Sequence, residues 1–185
     1  MWYDKRTTEE RKTDGGVSAV INMHIFLVGM PGAGKTSLGR RVAQNLNMRF
    51  VDTDQRVSEM MGMSVNDIFA SLGEPFFRNA ETGALVELVG QPPCIVSTGG
   101  GICTVSENVT IMQNHGVIVH IDRPLDQILS DIKTDRRPNL SDREDVIDLY
   151  NRRIGYYRAA ADYRLDNSKG FVMGVKNLME IIEHI

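Results

Sequence analysis

Short apolar runs alternate with longer amphipathic segments along most of this chain. Five runs have the length of strands: His24–Val28, Arg49–Asp52, Cys94–Ser97, Val117–Ile121 and the weaker Tyr163–Asp166. The middle runs are continuously apolar, which is typical of parallel strands that are buried on both faces of a sheet.

The segments between the strands have helical patterns. The predicted helices are Lys35–Leu46, Ser64–Leu72, Pro75–Val89, Ser106–Asn114, Leu125–Ile132, Arg143–Ala161 and Val172–Glu183. Ser64 is a candidate N-cap with Asp67 three positions on, and Pro75 suits the first turn of a helix. Strands that alternate with helices predict β-α-β units, and hence a three-layer α/β/α domain with a central five-stranded parallel sheet.

Composition narrows the class of protein. A chain of 185 residues fits one domain, predicted at residues 23–185, and its 42% hydrophobic and 24% charged residues are ordinary for a globular protein. The net charge of −3 gives no basic field for nucleic acid, and no apolar run reaches the roughly 20 residues that span a bilayer. Cys94 and Cys103 form no C-x-x-C motif, so we expect reduced thiols in a cytoplasmic protein.

Residues 1–22 are predicted to be an N-terminal extension. The segment is polar and lacks the apolar core of a signal peptide, and Met1 to about Gly16 shows no periodicity. We expect that part to be disordered or not native to the protein, with Met23 a plausible start of the folded domain.

A glycine loop follows the first strand and precedes the first helix. Its sequence, Gly29-x-x-x-x-Gly34-Lys35-Thr36, matches the P-loop pattern in full. Glycines let backbone N–H groups turn inward and form an anion nest with the helix N-terminus, Lys35 reaches the β- and γ-phosphates, and Thr36 ligates Mg²⁺. The predicted ATP-binding residues are Gly32, Ala33, Gly34, Lys35, Thr36 and Ser37.

Two aspartates follow in "FVDTD", a segment that is predicted to end the second strand. In extended geometry Asp52 and Asp54 face the same side, at the carboxyl edge of the sheet where ligands bind. Two carboxylates there suit magnesium binding and proton acceptance from an attacking hydroxyl. Alternatively, one of them only caps a helix that starts near Gln55.

Several motifs in one order make the chain resemble the shikimate kinase family. They are the P-loop with "LGR" after it, the D-T-D pair, "DIF", "GEPFFRNAE" and "STGGG", and the resemblance runs from about Ile25 to the C-terminal helix. The resemblance implies MgATP-dependent phosphorylation of the 3-hydroxyl of shikimate, in chorismate and aromatic amino-acid biosynthesis. It also implies that Asp54 holds the substrate hydroxyls and is the candidate base, and that Asp52 belongs to the metal site.

The resemblance assigns the acceptor site to two further motifs. Arg78, in "FFR", would grip the substrate carboxylate, a task that suits a guanidinium fork, and Glu81 would orient Arg78 or the substrate. Alternatively, Arg78 is a surface residue paired with Glu81 or Glu74. The "STGGG" glycines, Gly99, Gly100 and Gly101, would approach the substrate closely, although a tight turn explains any one of them. The third predicted strand, Cys94–Ser97, precedes these glycines and does not end in an acidic residue.

Two arginines complete the predicted site. In "KTDRRPNL", Arg137 corresponds to the arginine of the family's lid, here about residues 131–143, and would neutralise the γ-phosphate, with Arg136 as the alternative. In "NRRIGYYRAAADY", Arg153 corresponds to a second carboxylate ligand, with Arg152 as the alternative.

The chain departs from the family's pattern at three places. Asn139 stands within Pro-Asn-Leu instead of Pro-Leu-Leu, Gly155-Tyr156 replaces Pro-Leu, and "DNSKG" lacks the usual Arg-x-Pro. At the position of the family's adenine loop the chain has Asn167, Ser168 and Lys169, which are the candidate adenine contacts.

Two other functions remain open from the residues. A kinase for another small hydroxy acid, such as gluconate, would also use paired arginines, although the three glycines and the D-T-D pair favour shikimate. A nucleotide-gated regulatory module without catalysis predicts loss of Lys35, Asp54 or the lid arginine, and all three are present. The expected partners are shikimate and MgATP, with no nucleic acid, no membrane and a monomeric state.

Overall fold

Five parallel strands form the central sheet in this computed structural model, which describes residues 21–131 and 143–185. The strands are β1 His24–Val28, β2 Arg49–Asp52, β3 Cys94–Ser97, β4 Gly116–Asp122 and β5 Tyr163–Asp166. Their order across the sheet is β2-β3-β1-β4-β5, and every neighbouring pair is parallel. The predicted fold class is therefore confirmed.

Helices connect the strands and cover the sheet. They are α1 Lys35–Asn45, α2 Thr53–Met61, α3 Val65–Val89, α4 Ser106–His115, α5 Leu125–Asp131, α6 Arg143–Ala160 and α7 Phe171–Glu183, with a short 3-10 helix at Ile102–Thr104. The 3-10 helix and α2 were absent from the predicted helices. Within α3, Gly73 has non-helical φ 81° and ψ 169°, so the two separately predicted segments meet at a kink, and Pro75 lies just after it.

The main core lies on both faces of the sheet. Strand β1 is completely buried because β3 and β4 flank it and helices cover it. Helix α1 lies directly on the sheet at Gly39, where an added Cβ would come within 2.8 Å of Leu27 and 2.9 Å of Phe50. Ile21 also packs against this core, although it falls within the predicted N-terminal extension of residues 1–22.

A second, smaller core joins α2 to α3. It contains Val57, Ile68, Phe77 and Ala84, and the rings of Phe69 and Phe77 lie 4.7 Å apart between centroids. Because Phe77 is fixed in this core, the next residue, Arg78, is directed toward the carboxyl edge of the sheet.

Candidate functional site

One crevice of about 790 Å³ lies at the carboxyl ends of the strands. In an open parallel sheet this edge borders the ligand site, at the point where the strand order reverses. The P-loop forms one wall, and residues of α2, α3, the "STGGG" loop and α6 form the others. The crevice is therefore large enough for two small ligands side by side.

The P-loop has the backbone that an anion nest requires. Gly32 and Gly34 have φ of 85° and 101°, in the left-handed region that glycine tolerates best, and α1 begins at Lys35. The Lys35 ammonium donates to the carbonyl of Gly29 at 2.8 Å and to that of Met30 at 2.9 Å. This cation is 8% exposed and lies against its own loop, within the crevice.

Three oxygen-bearing side chains meet beside the P-loop. The Thr36 hydroxyl donates to Asp52 Oδ2 at 2.9 Å, and lies 2.9 Å from the Ser97 hydroxyl. Ser97 is the last residue of β3, so its hydroxyl occupies the strand end where the sequence has no acidic residue. Asp52 and Thr36 are brought together as predicted, whereas sequence reasoning did not select Ser97.

The two aspartates share the crevice for a different reason from the one predicted. Strand β2 ends at Asp52, and Asp54 lies in the first turn of α2, so the pair does not share one face of an extended strand. Asp52 Oδ1 accepts from the backbone N–H groups of Asp54 at 3.1 Å and Gln55 at 3.4 Å. Asp52 is thus both the N-cap of α2 and a partner of Thr36, because its two oxygens divide the roles.

Arg78 is held between two glutamates. Its Nη1 donates to Glu81 Oε2 at 2.6 Å, and its Nε and Nη2 donate to Glu74 Oε1 at 3.2 and 3.0 Å. Both ion pairs considered from the sequence are present, yet the Arg78 side chain is only 13% exposed and lines the crevice. Arg78 is therefore a largely buried cation in the wall of the crevice and not a surface residue.

Glu81 is a buried carboxyl group at the back of the crevice. It is completely buried, and burial raises its pKa to about 7, although the Arg78 guanidinium opposes the rise. The nearby Asp54 carboxylate raises it further. Its Oε1 atom has no hydrogen-bond partner among the described residues.

The three glycines make room for this cluster. A Cβ at Gly99 would overlap the carboxylate oxygens of both Asp54 and Glu81, and a Cβ at Gly101 would overlap the Arg78 guanidinium. Side chains at these positions would displace the charged groups. The glycines are needed for close approach between the loop and the acidic and basic side chains, as well as for the turn itself.

Helix α6 contributes Arg153 on the opposite wall. A Cβ at Gly100 would lie 3.3 Å from Arg153 Nη1, and one turn further on, the Tyr157 hydroxyl donates to the Gly100 carbonyl. Tyr157 is buried, so this bond fixes α6 against the glycine loop. Arg152, the alternative to Arg153, also lines the crevice, but it is exposed and donates to the Asp148 carbonyl at 3.3 Å.

Comparison with known proteins identifies the family to which this chain belongs. A sequence model of the shikimate kinase family matches residues 31–183. A shikimate kinase from Clostridium beijerinckii is 35% identical over 159 residues, 85% of this chain and 94% of the relative. The chain belongs to the shikimate kinase family. It is therefore an enzyme and a P-loop kinase, as the resemblance predicted.

Solved shikimate kinases have the same fold. The enzyme from Acinetobacter baumannii, solved in complex with shikimate, superposes with a TM-score of 0.82 at 31% identity, covering 89% of this chain and 96% of that one. The enzyme from Aquifex aeolicus gives 0.76 at 30% identity, covering 87% and 96%.

The gluconate alternative has weaker support. A gluconokinase from Sinorhizobium meliloti is similar with a TM-score of 0.59 but only 12% identity over 90% of this chain and 94% of that one. That likeness shows the shared fold alone.

Some expectations fall outside the part of the chain that the structure describes. Arg137 and its alternative Arg136 belong to residues 132–142, and most of the predicted extension belongs to residues 1–20. Within residues 21–131 and 143–185, no helix is long and apolar enough to cross a membrane.

One arginine that the sequence reasoning missed lies at the P-loop. Arg123 follows β4, lines the crevice, and donates from Nη1 to the Gly32 carbonyl at 3.0 Å. Its Nη2 pairs with Asp131 at 2.6 Å, at the end of α5. Arg123 lies in none of the motifs recognised in the sequence, so no sequence signal pointed to it.

Proposed function

We propose that the crevice transfers the γ-phosphoryl group of MgATP to the 3-hydroxyl of shikimate, giving shikimate 3-phosphate and ADP. The observation that carries the proposal is that one crevice joins a P-loop to a site with two arginines and a buried carboxyl cluster. Anionic donor and anionic acceptor would each have their own cations there, which suits a transfer that depends on placement and electrostatics.

The donor occupies the P-loop in this proposal. Gly32, Ala33, Gly34 and Ser37 supply backbone groups around the β-phosphate at the N-terminus of α1. Lys35, which bonds loop carbonyls at 2.8 and 2.9 Å, turns its ammonium to the β- and γ-phosphates when ATP binds. Its burial keeps the charge close to the phosphates.

The oxygen cluster beside the P-loop suits Mg²⁺. Magnesium prefers oxygen ligands, keeps several waters and takes one or two protein groups plus phosphates. Thr36 and Asp52 would hold the ion, and Ser97 lies 2.9 Å from Thr36 and would support it. When bound, Mg²⁺ neutralises charge on the β- and γ-phosphates.

The acceptor occupies the other half of the crevice. Arg78 and Arg153 bind the shikimate carboxylate, and Gly99, Gly100 and Gly101 allow the hydroxylated cyclohexene ring to approach the backbone. Asp54 accepts the proton of the 3-hydroxyl while the hydroxyl oxygen attacks the γ-phosphorus. The bond from phosphorus to the β-phosphate oxygen breaks in the same step, and ADP leaves with that electron pair.

The remaining assignments rest on the sequence, Arg137 on the resemblance and the others on composition. Arg137 is proposed to neutralise the γ-phosphate as the lid closes. The enzyme is proposed to act as a cytoplasmic monomer without nucleic-acid or membrane partners.

An acceptor panel tests the proposal. ADP release is followed in a coupled assay with shikimate, gluconate and the methyl ester of shikimate, which lacks the carboxylate. We expect shikimate-dependent turnover, with at least tenfold lower kcat/KM for the ester because the arginine contacts are lost. Equal turnover with gluconate, or none with shikimate from folded protein, would contradict the assignment.

A further inference from the structure

Asn167 follows β5 and faces the P-loop, away from the open part of the crevice. Its side-chain Nδ2 donates to the Ala33 carbonyl at 2.8 Å, although the two residues are 134 positions apart. Asn167 is 7% exposed and Ala33 is fully buried. Asn167, a candidate adenine contact from the sequence, therefore has a side-chain amide that already binds the phosphate loop.

The surroundings allow this amide only one orientation. A Cβ at Gly34 would lie 2.9 Å from Nδ2, and a Cβ at Gly174 would lie 2.5 Å from Oδ1, so two glycines enclose the group. The backbone N–H of Asn167 donates to the Asp122 carbonyl at 2.8 Å. Exchanging the amide oxygen and nitrogen would set two acceptors against each other at Ala33, so the nitrogen must face the loop.

The bond to Ala33 determines where the next N–H group points. In a planar trans peptide the carbonyl and the following N–H point in opposite directions. Because Asn167 holds the Ala33 carbonyl, the Gly34 N–H is directed away from Asn167, and Gly34 lines the crevice. The preceding carbonyl, that of Gly32, is held by Arg123.

We propose that Asn167 is a positioning residue for the donor phosphates: it holds the Ala33 carbonyl so that the Gly34 N–H is aimed at the β-phosphate. The inference rests on the proposed ATP site. It assigns to the loop after β5 a role in phosphate binding, because that loop supplies the side chain that orients the P-loop.

Ligands with and without adenine separate this role from an adenine contact. Asn167→Leu removes the donor, keeps the branched shape at Cγ and adds no charge, and Asn167→Ala serves if the larger leucine does not fit and the variant does not fold. Asn108→Leu is the matched control, since Asn108 is also a buried asparagine but donates to the carbonyl of Ile102, on the acceptor side. Calorimetry measures the Kd for MgADP and for magnesium tripolyphosphate, and thermal unfolding measures Tm.

We expect the Asn167 variants to raise the Kd for MgADP and the Kd for magnesium tripolyphosphate by the same factor, about tenfold or more. The reason is that a hydrogen bond to a charged phosphate is lost. The Asn108 variant should lower Tm without changing either Kd. A higher Kd for MgADP with an unchanged Kd for tripolyphosphate would identify an adenine contact and overturn the proposal. A lower Tm with both Kd values unchanged would reduce Asn167 to a structural role and overturn it equally. Neither ligand needs an acceptor, so these results stand even if shikimate is not phosphorylated.

Discussion

Replacing Arg78 with methionine separates the two roles that the structure gives this residue. Arg78 is proposed to bind the substrate carboxylate, and it pairs with the buried Glu81 at 2.6 Å. Methionine retains an unbranched apolar stem of similar length and removes the guanidinium. The variant should therefore change both acceptor binding and stability, by different amounts.

The effect on binding follows from the strength of charged hydrogen bonds. Loss of hydrogen bonds to a carboxylate costs about 1.5 to 3 kcal/mol, which corresponds to a rise in KM for shikimate of roughly 10- to 150-fold. KM for ATP should stay within about threefold, because Arg78 lies on the acceptor side of the crevice.

The effect on stability should depend on pH. The pKa of Glu81 is about 7 in the folded protein, above the usual value for an unfolded chain, so ionising it in the fold costs stability as pH rises. Without Arg78, whose charge lowers this pKa, the folded value rises further. The variant should be close to the parent in stability at pH 6, and lose up to about 1.4 kcal/mol more per pH unit above 7 until its own pKa is passed.

Steady-state kinetics and denaturant unfolding at pH 6, 7 and 8.5 measure both effects. In Arg78→Met/Glu81→Gln the buried charge is absent, so stability at pH 8.5 should recover while KM for shikimate stays high. Arg56→Met is the control, because Arg56 forms an exposed pair with Glu87 at 2.6 Å and should cost less than about 1 kcal/mol with KM unchanged. Recovery of KM in the double variant would refute direct binding by Arg78.

Three further predictions address other parts of the site. Asp54→Asn should lower kcat by about 10²- to 10⁴-fold with little change in ADP affinity, because the proton acceptor is lost; unchanged kcat would exclude Asp54 as the base. Ser97→Ala should raise the Mg²⁺ concentration needed for half-maximal rate by several-fold, measured by magnesium titration at fixed ATP, and no shift would remove Ser97 from the metal site. Gly101→Ala should raise KM for shikimate by at least tenfold by displacing Arg78, whereas Gly83→Ala, where a Cβ meets nothing within 4 Å, should be neutral or slightly stabilising; equal KM values in the two would disprove the steric argument.

The central strands β1, β3 and β4 were predictable from the sequence because they are buried, largely apolar runs. β1, β2, β3 and β5 lie at the predicted residues, and β4 is one residue longer at each end. From the sequence, helix α2 was considered only as the alternative in which an aspartate caps a helix near Gln55, because only Thr53 and Val57 are buried in its nine residues, which leaves almost no apolar stripe. A helix that buries so little gives a weak periodic signal.

Residues of the site could be predicted from the sequence only where several functional residues lie together in a short motif. The P-loop, the D-T-D pair and the three glycines each form a local pattern. Ser97, Arg123 and Tyr157 act through partners 61, 91 and 57 residues away, and such pairings depend on how the strands assemble. The same holds for Asn167, whose partner lies on the first β-α loop.

The identity of the phosphorylated hydroxyl tests the central claim most directly. Product formed from shikimate and MgATP is isolated and examined by two-dimensional phosphorus–proton NMR. We predict coupling between phosphorus and the ring proton at carbon 3, because Asp54 and the P-loop are proposed to act on that hydroxyl. Phosphorus coupled to the proton at carbon 4 or 5, or no phosphorylated shikimate at all from folded protein that binds MgADP, would contradict the account.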